Sequence, residues 1–190
     1  MTGMQPRPSP LLVTFAAVAS GPWRIETMQP VIGESLPAAE RLAMLEGTDV
    51  AAPSGASWTL RGVVSNTRYT TRTELGTLQE RQQGLRRQEA TCAALIPIRK
   101  TEAWWALAQD ERRAIFEEQS RHIAIGLDYL PAVARRLHHS RELGEPFDFV
   151  TWFEFAPEHR GAFDTMLQRL RATREWSYID REVDIRLRRD

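Results

Sequence analysis

Four polar side chains in the second half of the chain have types and spacings that could do redox chemistry on a small anion. His122 and Arg135 lie 13 residues apart, Lys100 precedes this histidine by 22 residues, and Glu175 follows it by 53. An imidazole binds haem iron, and a carboxylate and an ammonium behind it fix its orientation. A guanidinium on the opposite face of the haem would hold an anion. None of the four is diagnostic by itself.

The sequence contains four histidines that could bind a metal, and other roles are open to them. His122 stands between a charged helical segment and an apolar stretch, so it also fits a helix C-cap. His138 and His139 are adjacent in a predicted strand and therefore face opposite sides. His159 is expected to be solvated. The HxH, HExxH and CxxC pairings of zinc sites do not occur in the sequence.

Arg135 is the candidate for the anion-holding group. Strand alternation places it on the same face as Val133 and Leu137, with Arg136 on the other face. An arginine on an apolar face is costly unless it is paired or functional, so a pairing with a carboxylate is the alternative.

Glu175 and Lys100 are candidates for fixing the imidazole, and both have ordinary alternatives. Glu175 could be a helix-end carboxylate that pairs with Arg171 or Arg174. Lys100 closes an apolar strand and could meet a carboxylate or a haem propionate, or it could be a solvated strand end.

Periodicity in the second half predicts the elements that must position these groups. The order is β-α-β-β-α-β, the ferredoxin-like arrangement. One sheet face carries alternate phenylalanines, and the second helix carries an apolar stripe at i, i+3, i+4, i+7 spacing that should pack on it. The predicted strands are 92–100, 131–140, 147–155 and 183–189, and the predicted helices are 109–120 and one that begins at Pro157.

The first half is predicted to be a second repeat of similar type. Its strands are expected at 11–19, 23–31 and 57–69, and its helices at 37–46 and 71–83. The segment GLRRQEAT (84–91) is the expected boundary, which divides the chain into 1–88 and 89–190.

Composition excludes several classes of protein. Lys plus Arg and Asp plus Glu each number 25, and a net charge of zero argues against a nucleic-acid partner. The only cysteine, Cys92, excludes an internal disulfide framework and is expected to be buried and inert. No apolar run approaches the roughly 20 residues that span a membrane, so no membrane association is expected.

The apolar run at 10–19 has two interpretations. It could be the apolar region of a signal peptide, because residues 17–19 have the small-x-small form of a cleavage site. However, the segment before it has a single positive side chain, Arg7, and two prolines, and the run itself alternates like a strand. We therefore predict a strand, and with it a cytoplasmic rather than a periplasmic location.

Three segments together resemble a known family. ATCAALIPIRK (90–100), SRHIAIGLDYLPAVARRLHHSRELGEPFDFVTWFEFAPEH (120–159) and EWSYIDREVDIRL (175–187) are similar to the short branch of the haem-dependent chlorite dismutases. The similarity is strong from about residue 88 to 189 and weaker before. It implies two ferredoxin-like repeats that form an α+β barrel, with haem b in the C-terminal repeat, and a homodimer.

The resemblance also implies roles for particular residues. His122 matches the proximal iron ligand, Glu175 and Lys100 match the groups hydrogen-bonded around it, and Arg135 matches the distal arginine. The remaining matches are the distal glutamine Gln82 and the haem-pocket pair Trp104 and Trp105, and Asn66 and Tyr69 are added as predicted propionate contacts.

The activity implied is that of a chlorite O2-lyase, which makes chloride and O2 through a ferryl intermediate and a hypochlorite species held by Arg135. One alternative is a coproheme decarboxylase of the same superfamily, against which Arg135 argues because those enzymes generally lack the distal arginine. The other alternative is a haem-binding protein without turnover.

Overall fold

Eight antiparallel strands close into a barrel in the computed structural model, which describes residues 11–47, 51–64 and 70–190. The strand order around the barrel is β1-β3-β2-β8-β5-β7-β6-β4, and β4 pairs back with β1. This architecture, with helices packed outside the barrel, confirms the predicted α+β barrel. The strands are β1 Leu12–Val18, β2 Trp23–Ile32, β3 Arg41–Gly47, β4 Trp58–Val64, β5 Cys92–Lys100, β6 Ala134–His139, β7 Phe149–Phe155 and β8 Ile179–Arg189.

Helical segments join the strands and cover one side of the barrel. The α-helices are α1 Arg72–Arg81, α2 Glu102–Ala106, α3 Gln109–Arg113, α4 His122–Leu127 and α5 Arg160–Arg171. A π-helical segment, Ala114–Gln119, continues α3, and short 3-10 segments lie at Arg141–Leu143, Pro157–His159 and Arg174–Tyr178. The β-α-β-β-α-β order predicted for the second half is confirmed. The expected division at residues 88 and 89 falls between α1 and β5 and stays a prediction.

Alternation along the strands separates two apolar clusters. Side chains from β1, β2, β3, β4, β5, β7 and β8 meet inside the barrel, where Phe15 and Trp152 stack. The opposite face of β5 and β7 packs against α5, whose predicted stripe is fully buried. Strand β7 begins at Phe149, so Phe147 lies outside the expected alternation and joins the barrel interior. The outer cluster is the one that borders the cavity described below.

The helix predicted at 37–46 is wrong. Residues 41–47 form strand β3, and no helix occurs within residues 11–47. Leu42 is fully buried, and Met44 and Glu46 on the same strand face both reach the Arg136 guanidinium. Pairing with β1 along the whole strand outweighs the helix propensity of alanine, leucine and glutamate.

The apolar run near the N-terminus is strand β1, as predicted. Its residues 13–17 are all buried, and it pairs with β3 on one side and β4 on the other. Cys92 is buried at the start of β5, also as predicted. Among the described residues, no helix has the length and apolar character needed to cross a bilayer.

Candidate functional site

A cavity lies between the outer face of the barrel and the helices of the second half. Its floor is formed by β5, β6 and β7, and its roof by residues of the π-helical segment, α4 and α5, while α1 closes one side. It holds about 1140 Å³ of empty space, counting its open mouth. The walls are mostly apolar, as in cofactor pockets. The polar groups that face it include Gln82, Lys100, His122, Arg135, His139 and Glu175.

Three of the predicted site residues form one hydrogen-bonded chain. The Oε2 atom of Glu175 lies 2.7 Å from Nδ1 of His122, and its Oε1 atom accepts from Nζ of Lys100 at 2.6 Å. The carboxylate and the ammonium are almost completely buried, with side-chain exposures of 3% and 2%. The alternatives of a solvated lysine and of a Glu175–Arg171 pair are therefore wrong, and Arg171 binds Glu182 and Asp184 instead.

The local fold explains why His122 points at this carboxylate. Arg121 has a left-handed backbone (φ 53°), which interrupts the helical run, so His122 is the first residue of α4 and not a C-cap. The carboxylate of Glu117 accepts the N–H groups of Ile123 and Ala124 and so caps the new helix. The Oγ atom of Ser120 accepts from the Glu175 backbone N–H, which ties the two segments together.

Charge decides which nitrogen of His122 is available to a ligand. Burial by itself raises the pKa of the Glu175 carboxyl, but the charges and hydrogen bonds of Lys100 and His122 outweigh it and lower this pKa from 4.5 to about 2. An ionised carboxylate only accepts hydrogen bonds, so Nδ1 of His122 carries the proton. In the neutral form of the ring, Nε2 then presents its lone pair, which is the state that a metal-binding imidazole needs.

The position of Glu175 predicts how stability depends on pH. Because its pKa is depressed in the folded chain, its contribution is present above about pH 4.5 and is lost as the pH falls toward 2. We expect the Glu175→Gln variant to be less stable by roughly 3–5 kcal/mol at neutral pH, since Lys100 is left buried without its counter-charge. Urea unfolding of the two haem-free proteins between pH 2 and 7 should show the gap closing below pH 4.5. A gap that is the same at pH 2.5 and pH 7 would contradict this assignment.

Two aromatic rings lie parallel to the His122 imidazole. Phe116 of the π-helical segment stacks on the imidazole at 4.5 Å between ring centroids, and Trp176 lies parallel to it at 6.3 Å. The indole N–H of Trp176 is anchored by the buried Glu182 at 2.7 Å. Sequence reasoning missed Phe116 and Glu182. A separation of six residues is not a helical i, i+3 or i, i+4 spacing, so no local pattern linked Phe116 to His122.

Arg135 lines the cavity from the start of β6, on the face that alternation predicted. Its guanidinium makes no hydrogen bond or ion pair within residues 11–47, 51–64 and 70–190, so the alternative of a structural carboxylate pair is wrong. Burial lowers the pKa of this guanidinium to about 10, against an opposing effect of Glu117. It therefore stays charged at neutral pH. Nε2 of Gln82 donates to the Arg135 backbone carbonyl at 2.7 Å, so Gln82 contacts the main chain of the arginine.

The two tryptophans lie behind the cavity wall and do not line it. The Trp104 ring is fully buried beneath Lys100, whose Nζ is 4.3 Å from the ring centroid. Trp105 stacks on the cavity residue Phe149. Asp148, which sequence reasoning missed, accepts from the Lys100 backbone N–H at 2.7 Å and from the Trp105 indole at 3.2 Å. The pair therefore supports the site through Lys100 and Phe149.

The adjacent histidines His138 and His139 face opposite sides of β6, as the strand pattern predicted. His139 faces the cavity, and its ring packs edge-on against Phe149. His138 faces the barrel interior, bonded to the Val150 carbonyl, and burial lowers its pKa to about 4, so it is neutral and structural. The predicted propionate contacts Asn66 and Tyr69 lie outside the described residues.

The residues present fit a haem better than a metal ion held by protein groups alone. No group of three or more metal-binding side chains occurs in the part of the chain that the structure describes. A haem iron needs only one imidazole from the protein, together with apolar walls for the ring. One oriented imidazole, mostly apolar walls and a charged guanidinium are what this cavity offers.

A family model and a curated relative match this chain. The model described as chlorite dismutase matches residues 30–188. A protein named chlorite dismutase from Ideonella dechloratans is 34% identical over 86 residues, which is 45% of this chain. The matched segment spans only 28% of the length of that curated relative.

Solved structures match over nearly the whole chain. The dimeric chlorite dismutase of Nitrobacter winogradskyi is 56% identical, with a TM-score of 0.86, and the match covers 94% of this chain and 99% of that one. A mutant chlorite dismutase from Candidatus Nitrospira defluvii is 19% identical with a TM-score of 0.70, over 97% and 93% of the two chains. At that identity the second match supports the fold alone.

Proposed function

Because the chain belongs to the chlorite dismutase family, we propose that it is a haem b-dependent chlorite O2-lyase, which converts chlorite to chloride and O2. One observation carries the proposal. The His122 imidazole, held by the buried Glu175–Lys100 pair, lines an apolar cavity that a charged arginine, Arg135, also lines. An iron ligand and an anion-holding group in one cavity are what this reaction requires.

His122 would bind the haem iron through Nε2. Glu175 accepts the Nδ1 proton and so strengthens the imidazole as a donor, and Lys100 keeps that carboxylate ionised. The apolar side chains of β5, β7 and α5 that line the cavity would exclude water from the haem. When bound, haem supplies the reversible acceptance of an oxygen atom, which chlorite provides and which leaves again in O2.

Arg135 would hold the anion throughout. Its charge and planar hydrogen-bonding face suit chlorite first and then the hypochlorite fragment that remains after oxygen-atom transfer. Keeping this fragment in the cavity favours formation of the O–O bond and limits its escape. Escaped hypochlorite would oxidise methionine side chains.

We also infer a homodimer, because the 56% identical relative is described as dimeric. A cytoplasmic location remains a prediction. Sedimentation of the haem-loaded protein at several concentrations tests the dimer, which a monomer at micromolar concentration would contradict.

An oxygen electrode tests the activity directly. Haem-loaded protein given chlorite should release O2 promptly, at close to one O2 per chlorite, and the haem-free preparation should release none. Bleaching of the haem without O2 would contradict the lyase assignment. In that case coproheme-loaded protein should be given peroxide, and loss of two carboxyl groups by mass would identify a coproheme decarboxylase.

A further inference from the structure

The guanidinium of Arg135 rests directly on the backbone of Gly126 in α4. A Cβ atom at position 126 would lie 1.9 Å from Nη1 and 2.7 Å from Cζ of this guanidinium. Both distances are well below van der Waals contact. Only glycine therefore fits at position 126 while Arg135 keeps its observed place.

No backbone requirement explains this glycine. Among the described residues, the glycines with a left-handed backbone are Gly33, Gly55 and Gly144, and Gly126 is not one of them. It lies within α4 and is buried. A glycine inside a helix is less stable than alanine because it loses more conformational freedom on folding. The close approach of Arg135 is the feature that accounts for it.

The π-helical segment that precedes α4 also brings a negative charge near the guanidinium. The Glu117 carboxylate caps the first turn of α4, and its charge favours the protonated form of Arg135 against the effect of burial. Two features near α4 therefore act on the Arg135 guanidinium. Gly126, within α4, leaves space for it, and Glu117, which caps α4, provides an opposite charge.

We propose that Gly126 is a positioning residue that sets where the Arg135 guanidinium lies relative to the cavity. Helix α4 then begins with His122 and contains, four residues later, the glycine against which the Arg135 guanidinium packs. One helix therefore positions both groups. The contact itself is independent of the proposed function, whereas its effect on a bound anion rests on that function.

A double-mutant cycle on the haem-free chain tests the contact. In the native background Gly126→Ala should raise Tm by less than helix propensity alone would give, because the methyl group must displace the guanidinium. In the Arg135→Ala background the same change should raise Tm by the full amount, since the space is empty and alanine favours the helix. An equal change in Tm in both backgrounds would overturn the proposal.

Gly76 provides the matched control. It lies within α1, and a Cβ there would meet no described atom within 4 Å. Gly76→Ala should raise Tm equally in both backgrounds, which shows that the smaller gain at position 126 in the presence of Arg135 comes from the guanidinium and not from helix propensity.

Fluoride binding to the ferric haem-loaded protein tests the consequence. Because the methyl group displaces the guanidinium, Gly126→Ala should change the fluoride Kd by at least about threefold, part of a charge-assisted hydrogen bond. The Arg135→Ala background should abolish this change. Unchanged fluoride binding, or an equal change without Arg135, would overturn the positioning role. A chain that takes up no haem would instead refute the proposed function and leave the Tm cycle as a valid test.

Discussion

Haem-loaded His122→Ala is expected to release no O2 from chlorite beyond what free haem releases. The side chain supplies the only imidazole in the cavity whose Nδ1 is held by a buried carboxylate, among the residues that the structure describes. Under the proposed function, the iron would then lose its protein ligand, and the basicity that Glu175 confers on the imidazole would no longer act on the metal. The oxygen electrode measures the loss, and the absorbance spectrum of the haem reports the change in iron ligation.

Two comparisons separate loss of the ligand from loss of the fold. His159→Ala alters a histidine in the 3-10 segment before α5, away from the cavity, and should keep the wild-type rate. Added imidazole should restore part of the O2 release of His122→Ala by occupying the vacated space. If His122→Ala turned over chlorite at the wild-type rate, His122 would not be the iron ligand.

Arg135→Ala is expected to slow chlorite turnover roughly 10- to 100-fold and to increase the hypochlorite that leaks from the site. A hydrogen bond to a charged group contributes about 1.5–3 kcal/mol, and each 1.36 kcal/mol corresponds to a tenfold change in rate. The guanidinium has no structural partner among the described residues, so its removal should cost little stability. Initial O2 rates give the first effect, and a chlorination probe added as a scavenger gives the second.

Arg135→Lys is the matched variant. It keeps the positive charge and loses the planar face, so it should retain more activity than alanine and leak an intermediate amount of hypochlorite. Both variants should keep the haem spectrum of the wild type because His122 is untouched. If Arg135→Ala released O2 at the wild-type rate and leaked no more hypochlorite than the wild type, Arg135 would have no role in the reaction.

The sequence by itself determined the order of the strands and main helices of the second half and the face of each strand, but it missed the short helices α2 and α4. Period-two alternation placed Arg135 and Leu137 on one side of β6 and Arg136 on the other, and the i, i+3, i+4, i+7 stripe identified the buried face of α5. These predictions held because a residue's face within one element is a local property. The helix predicted at 37–46 failed, because there local propensity competed with pairing to β1, which is remote in sequence.

Tertiary structure alone decided which polar groups meet. Lys100 and Glu175 are 75 residues apart, and only the antiparallel pairing of β5 with β8 brings the end of one strand beside the segment that leads into the other. For each, the sequence allowed an ordinary surface role equally well. The sequence also offered no sign of the buried groups that contact these residues. Neither Asp148 beneath Lys100 nor Gly126 beneath Arg135 belongs to a local sequence motif. Hydrogen bonding, burial and steric fit depend on the distance between groups in space. The separation of two residues along the chain does not give that distance.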